Sequence, residues 1–254
     1  MNTFPPEFLE RPGGDKVAYN KIDGASPGVV FLHGLMSDRD GTKALALAGH
    51  CAALGLSCVR FDMFGHGASS GAFPDGSISR WAEDTVDVID RLTQGPQILV
   101  GSSMGGWVML RAALARSDRV AGLIGIAPAP DFTEDFMWAG FSQVEREQMQ
   151  QEGIVNVQSD YDERPYPISR HLIEDGRKNL MLRASIPISC SVRLIHGQKD
   201  AAVPWETSMR LAEKLVSDDV GIVLVKNGDH RLSEPSDIDR LCMVLDETIR
   251  RVGT

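Results

Sequence analysis

The four cysteines of this 254-residue chain, Cys51, Cys58, Cys190 and Cys242, form no C-x-x-C pair and stand in apolar surroundings. That pattern excludes a zinc-finger framework and reads as small buried hydrophobes in a reducing compartment. No metal and no organic cofactor is implied. No block of lysine or arginine could neutralise a row of phosphates, and 26 basic against 35 acidic side chains leave a net charge of −9, so nucleic acid is excluded as a partner. No apolar stretch has the roughly 20 residues a membrane span needs. The N-terminus, MNTFPPEFLERPGGD, has neither the basic-then-apolar run of a secretory signal nor the Arg-rich, acid-poor character of an organelle presequence. A soluble cytoplasmic protein is the expectation. Internal repeats and low-complexity segments are also lacking.

What is present is ordinary globular composition, 43% hydrophobic and 24% charged, in a length that can bury one large core. Short apolar runs rich in β-branched residues begin at Val29, Cys58, Ile98, Val120, Val192 and Gly221. Helical spacing separates most of them: Ile78, Trp81, Ala82, Thr85, Ile89 and Leu92 share one face, and Ile238, Leu241, Cys242, Leu245 and Ile249 another. Strands apolar on both sides, alternating with amphipathic helices, predict an α/β fold: a mostly parallel sheet covered by helices on both faces.

The rhythm breaks between Asp131 and Ile186. An aromatic and Met-rich helix (EDFMWAGFSQVEREQMQQ), an irregular polar piece with prolines (SDYDERPYPISR) and a second helix (LIEDGRKNLML) are expected there, with no core strand. The reading is a cap at 131–186 inserted into a core made of 1–130 and 187–254. A long non-core excursion in a compact domain usually covers a functional site.

The stretch LVGSSMGGWV, Leu99 to Val108, places two serines between an apolar strand and a helix. A nucleophile elbow requires very small residues two positions before and two after its serine, because strand and helix approach closely there. Around Ser103 those residues are Gly101 and Gly105; around Ser102 they are Val100 and Met104. Ser103 therefore meets the steric rule and Ser102 fails it. A phosphate-binding turn is the competing reading, but G-x-x-x-x-G-K-[ST] and G-x-G-x-x-G do not occur, and GHGASSG misses the second by one residue.

A serine hydroxyl needs an imidazole to take its proton and a carboxylate to hold that imidazole. Of six histidines, His50 falls inside a helix, His171 in the cap, His196 at a strand end where it bonds locally, and His66 in the loop FDMFGHGASS. His230 stands after the last strand and before the last helix, in VKNGDHRLSEPSD, where chain order serine, acid, histidine puts the base. Asp200, in HGQKDAAVP, is the acid favoured, with the neighbouring Asp229 as its rival. The Met104 amide at the helix N-terminus and the Leu35 amide in HGLMSD are the expected oxyanion donors, with Gly34 allowing close approach and His33 either bracing that loop or packing at the core edge.

Taken in order, FLHG, RFDMFGHGASSG, GSSMGG, HGQKDAAVP and GDH resemble the α/β-hydrolase superfamily from about Lys16 onward. The resemblance implies an eight-stranded core with a cap, a triad of Ser103, Asp200 and His230, and hydrolysis of acyl esters or thioesters, within a branch that acts on acyl-glucuronides and palmitoylated proteins. Animal members of that branch carry a mitochondrial presequence, and its lack here points to a bacterial-type relative. In the cap, Phe132, Phe136, Met137, Trp138 and Phe141, with Met149, would roof an acyl pocket, and Arg164, Arg170 and Arg177 would meet an anionic leaving group. Three alternatives stay open: an aminopeptidase using Glu134, Asp135, Asp160, Asp162 or Glu163 to hold an α-ammonium, a carbon–carbon bond hydrolase, and a non-catalytic receptor on the same scaffold. Acyl chain length, ester against thioester, and oligomeric state are not legible.

Overall fold

The structure is a computed structural model and describes residues 5–159 and 162–253. Its central sheet has eight strands: β1 (Glu7–Glu10), β2 (Lys16–Ile22), β3 (Ala25–Leu32), β4 (Leu56–Phe61), β5 (Gln97–Ser102), β6 (Val120–Ile126), β9 (Ser191–Gly197) and β10 (Val220–Val225). They lie in the order β1-β2-β4-β3-β5-β6-β9-β10. The six from β4 to β10 run parallel, and β1 and β2 form an antiparallel edge. Alternate residues of one strand feed two separate cores. Val30 and Leu32 of β3 join the face covered by α2 (Ile78–Leu92), α3 (Met104–Ala115) and α6 (Glu206–Lys214); Val29 and Phe31 join the face covered by α1 (Thr42–Leu54) and α7 (Pro235–Val252).

The amphipathic helices fall where their spacing predicts. Ser77 caps α2 by accepting from the Arg80 N–H, and Ile78, Trp81, Thr85 and Ile89 are buried with Asp84 and Val88. The α7 face is turned slightly from expectation, burying Asp237, Leu241, Val244, Leu245 and Thr248.

Between β6 and β9 the chain makes the expected excursion with a different content. The aromatic run is not one regular helix: Thr133–Trp138 winds as a π-helix, the turn ends after Gly140, and Ser142 starts α4 (Gln143–Glu152) with a capping box to Glu145. The proline-bearing piece is an antiparallel ribbon of β7 (Ile154–Ser159) and β8 (Asp162–Ser169), not a loop. Pro165 and Pro167 are two apart, so both missing N–H donors fall on one edge of the strand, which a two-stranded ribbon tolerates. Finally α5 (Arg170–Lys178) follows its N-cap Ser169.

The excursion is fastened to the sheet domain by buried polar bonds. The Asp131 carboxylate, fully buried at φ +62°, accepts from the Met181 and Leu182 amides (2.7 and 2.9 Å), closing the start of the excursion onto its end. Asp175 accepts from the Ser79 amide (2.8 Å), and the Trp107 indole donates to the Asn179 carbonyl (3.1 Å).

Among the described residues no helix is long and apolar enough to cross a membrane. All four cysteines are free; Cys51 and Cys58 are buried, while Cys190 and Cys242 are only partly so.

Candidate active site

The register levels the carboxyl ends of the parallel strands. Leu32 pairs with Gly101, Ser102 with Ile126, Ile126 with Ile195 and Val225 with Gly197. The loops that follow β3, β5, β9 and β10 therefore open at one edge, where ligands bind in open α/β sheets.

Ser103 forms the turn from β5 into α3 at φ +53° and ψ −120°, a strained conformation for a residue with a side chain. Bonds on both sides hold it. The Ser103 amide donates to the Ile126 carbonyl (2.9 Å), and its carbonyl accepts from Gly106 and Ala129 (2.9 and 3.1 Å). The steric rule applied to the sequence is met in atoms: a Cβ on Gly101 would lie 2.4 Å from the Gly105 carbonyl oxygen, and one on Gly105 would lie 2.4 Å from that of Leu32. Ser102 ends β5 and is buried.

His230 Nε2 lies 2.9 Å from Ser103 Oγ, and its Nδ1 lies 2.7 Å from Asp200 Oδ2. Because a carboxylate only accepts, Nδ1–H donates to Asp200 and Nε2 is left to accept from the serine hydroxyl. Burial of the Asp200 carboxyl alone would raise its pKa. Hydrogen bonds from His196 and His230, the electrostatic influence of the His230 ring and the Val203 amide outweigh that and hold it well below the usual carboxylate range. Asp229, the rival, faces the other way: its Oδ1 accepts from the Arg231 and Leu232 amides, both at 3.0 Å, and shapes the loop. The β9 and β10 loops can meet because residue 197 is glycine; a Cβ there would lie 2.3 Å from the Gly228 carbonyl oxygen.

Met104, as the first residue of α3, has no carbonyl four residues back to bond. Its amide and that of Leu35 have no acceptor among the described residues. Gly34 brings the Leu35 loop close, its added Cβ falling 3.4 Å from Ser103 Cβ. Two buried imidazoles cross-brace that loop. His33 Nε2 accepts from the Met63 amide (3.1 Å) and His66 Nε2 from the Met36 amide (3.2 Å), with ring centroids 4.8 Å apart. Burial lowers His33 to a pKa of about 4, and burial together with the neighbouring His33 lowers His66 to about 3, so both are neutral acceptors. His33 thus braces the loop, the first of its two expected readings.

A cavity of about 470 Å³ opens over Ser103. His33, Gly34, Phe132, Phe136 and Met137 line it as expected, joined by Val157 and Tyr166 of the ribbon. Trp138 does not. Its ring is engaged inside the cap, with the Arg177 and Arg146 guanidinium carbons 4.6 and 5.4 Å from its centre and the Phe141 edge against it. Phe141 and Met149 are likewise buried outside the lining. The cap arginines do not reach the cavity either: Arg177 pairs with Glu134 (2.7 Å) and Arg170 with Glu174 (3.7 Å), and Arg164 is exposed away from the lining. The lining cations are Lys43 and Arg231 instead. Lys43 Nζ donates to the Arg231 carbonyl (2.5 Å) and to Ser233 (3.3 Å), and burial lowers its pKa to about 8. Nothing in the spacing of α1 marks Lys43 out. Of the carboxylates considered for an α-ammonium, Glu134 pairs with Arg177 and Asp135 with Arg183 and Arg210, outside the lining. Asp160 lies outside the described residues, as do the side chains of Asp162 and Glu163. Among the described residues, no cluster of His, Cys, Asp or Glu could hold a metal.

A strained serine on a strand-to-helix turn, facing a histidine and carboxylate from later loops of a parallel sheet, defines the α/β hydrolase class. Residues 27–159 match the model of the family described as the alpha/beta hydrolase fold, and the chain belongs to that family. With its relatives it is an enzyme of the ester- and thioester-cleaving kind. Human palmitoyl-protein thioesterase ABHD10, mitochondrial, is 40% identical over 251 residues, spanning 97% of this chain and 81% of that protein. The solved structure of alpha/beta hydrolase domain-containing protein 10 from mouse superposes with a TM-score of 0.89 at 36% identity, covering 97% of this chain and 99% of that one. A monoacylglycerol lipase from Paleococcus ferrophilus shares the fold, with a TM-score of 0.75 at 24% identity over 93% of this chain and 99% of that one.

Proposed function

We propose that this protein hydrolyses carboxylic acyl esters or thioesters through an acyl-enzyme on Ser103. The observation that carries the proposal is the unbroken line Ser103 Oγ, His230, Asp200, with bonds of 2.9 and 2.7 Å. His230 Nε2 takes the Ser103 proton as the oxygen attacks the acyl carbon, and the Leu35 and Met104 amides receive the negative charge that forms on the carbonyl oxygen. The imidazolium returns its proton to the departing alcohol or thiol. Water, deprotonated by the same nitrogen, then attacks the acyl carbon, and Ser103 leaves with the proton to free the acid.

The leaving group departs beside His230, whose neighbour Arg231 lines the cavity with Lys43, and the acyl group is proposed to lie beneath Phe132, Phe136, Met137, Val157 and Tyr166. That apolar roof suits a fatty-acyl or aromatic acid, in keeping with relatives named palmitoyl-protein thioesterases. In this reading 131–186 is a cap on a core of 1–130 and 187–254, no cofactor takes part, and the four free cysteines support a reducing setting such as the cytoplasm.

A fluorophosphonate probe tests the mechanism: it is expected to label the wild type and not Ser103→Ala. Equal labelling of both would overturn it. A panel of p-nitrophenyl esters, acyl-cysteine thioesters and aminoacyl anilides then separates the classes, and dominant anilide turnover would replace this reading with an aminopeptidase.

A further inference from the structure

The Asp200 carboxylate serves more than His230. Its Oδ1 accepts from the Ala202 and Val203 amides (2.9 and 2.8 Å), which fixes the plane of the group. Its Oδ2 accepts from two imidazoles, His230 Nδ1 at 2.7 Å and His196 Nε2 at 3.2 Å. His196 is fully buried in β9, four residues before Asp200, and is absent from the cavity lining, so it cannot touch substrate. Its Nε2 faces only acceptors, Asp200 Oδ2 and the Val203 carbonyl at 3.0 Å, and must carry the proton. Its Nδ1 lies 2.7 Å from the buried Ser208 hydroxyl of α6, which donates to it and fixes that tautomer.

We infer that His196 is a positioning residue: its Nε2–H, fixed by Ser208, pins the Asp200 oxygen that orients His230 and takes up part of that oxygen's charge. The inference rests on the mechanism proposed above. Its physical content is a competition. One oxygen shared by two N–H donors gives less to each than it would give to one, because each bond spends part of the same negative charge. Removing His196 therefore has two consequences. Asp200 loses one of its restraints, so the imidazole is less well aimed and kcat falls. What remains of the carboxylate charge then acts on His230 alone, binding the imidazolium more tightly and moving the acid limb of activity to higher pH. A residue that merely packed beneath the loop would lower stability and leave that limb where it was.

Among the described residues, the charged groups near His230 include its chain neighbours Asp229 and Arg231, Lys43 of α1, which bonds the Arg231 carbonyl, and Asp38, which lines the same cavity. All are unchanged in the variants, and Lys43, with its pKa of about 8, titrates on the basic side.

The test uses the full chain with a p-nitrophenyl ester and, independently of substrate choice, the rate of fluorophosphonate labelling across pH 5–9. His196→Leu is expected to lose about 10- to 100-fold in kcat, the size typical of removing a hydrogen bond behind a functional ligand. KM should hardly change, and the acid limb should rise by about half a unit or more. His196→Gln, whose amide can donate to the same oxygen, is expected to recover most of the loss and return the limb toward wild type. Ser208→Ala, which frees the tautomer without deleting the imidazole, should show a smaller shift of the same sign and keeps the question answerable if the leucine variant does not fold. An unmoved acid limb in folded variants, or glutamine no better than leucine, would overturn the inference. Failure of the wild type to label at all would instead overturn the proposed mechanism.

Discussion

Gly105 and Gly49 are both helical glycines, and replacing each by alanine should move the protein in opposite directions. Alanine is the better helix former, so at an exposed site the change should stabilise by about 0.5–1 kcal/mol. Gly49 is such a site: it is exposed on α1, and an added Cβ meets nothing within 4 Å. At Gly105 the same atom would sit 2.4 Å from the Leu32 carbonyl oxygen and 2.5 Å from that of His33, where ordinary contact begins near 3.4 Å. The backbone must give by about 1 Å, and neither partner is the free end of a side chain. Forcing an extra methyl into a packed core costs roughly 1–3 kcal/mol. The larger effect should be on turnover, because the displaced segment leads directly into Gly34 and Leu35. An error of about 1 Å in catalytic geometry can cost about 100-fold. Urea melts and kcat/KM on one p-nitrophenyl ester measure both quantities. Gly49→Ala should melt slightly later at unchanged activity, and Gly105→Ala should lose stability and, beyond that, activity of its folded fraction. A Gly105→Ala protein with wild-type melting and wild-type kcat would refute the claim that the glycine is there to let α3 approach β3.

Asp200→Asn should lower kcat by about 10³- to 10⁴-fold with the fold retained, because an amide cannot hold the imidazole in the same tautomer; Asp229→Asn, which keeps its bonding oxygen, should stay within a few-fold, and equal losses would reverse the choice of acid. His33 and His66 have folded pKa values of about 4 and 3 against 6.5 for the free side chain. Below pH 6.5 the unfolded chain therefore binds protons that the folded chain refuses, so their contribution is complete above 6.5 and shrinks as pH falls toward 4. At pH 5.5 the loss should be roughly 1 kcal/mol for each, and urea melts giving the same stability at pH 7.5 and 5.5 would contradict it. Asp131→Ala leaves the Met181 and Leu182 amides without their acceptor and should cost about 1–3 kcal/mol for each, whereas Asp131→Asn, which keeps an acceptor and suits a left-handed backbone, should cost less. Thermal melts of the two variants decide, and equal melting would count against the clasp.

The six parallel strands and the Ser103, His230 and Asp200 constellation were legible because each rests on a local rule that chain order can carry, whereas the antiparallel edge of β1 and β2, mixed in polarity, was not among the apolar runs. Small residues flank a strained turn, and continuous apolar runs alternate with helices of period 3.6. The cap was legible only as an interruption. Its aromatic run has helical spacing, yet the non-helical Phe141 and the Ser142 capping box divide it, and Trp138 is drawn to Arg146 and Arg177 within the excursion instead of to the cavity. The ribbon escaped because its prolines forbid a central strand but not an isolated pair. The cavity cations were missed for another reason. Lys43 is 188 residues from Arg231 in sequence, and only the packing of α1 against the loop after β10 brings it to the Arg231 carbonyl. His66 and His196 act through backbone amides and a buried oxygen, interactions that leave no spacing signature.

One carboxylate at Asp131 gathers the outgoing and returning strands of chain at the root of the excursion. On the proposed cap reading, that junction lets the intervening residues be exchanged at one point of the fold, provided a replacement also keeps the Asp175–Ser79 and Trp107–Asn179 bonds that seat the excursion on the sheet domain. On that reading, selectivity for the acid half of a substrate can be engineered at one address, apart from the loops proposed to carry the chemistry.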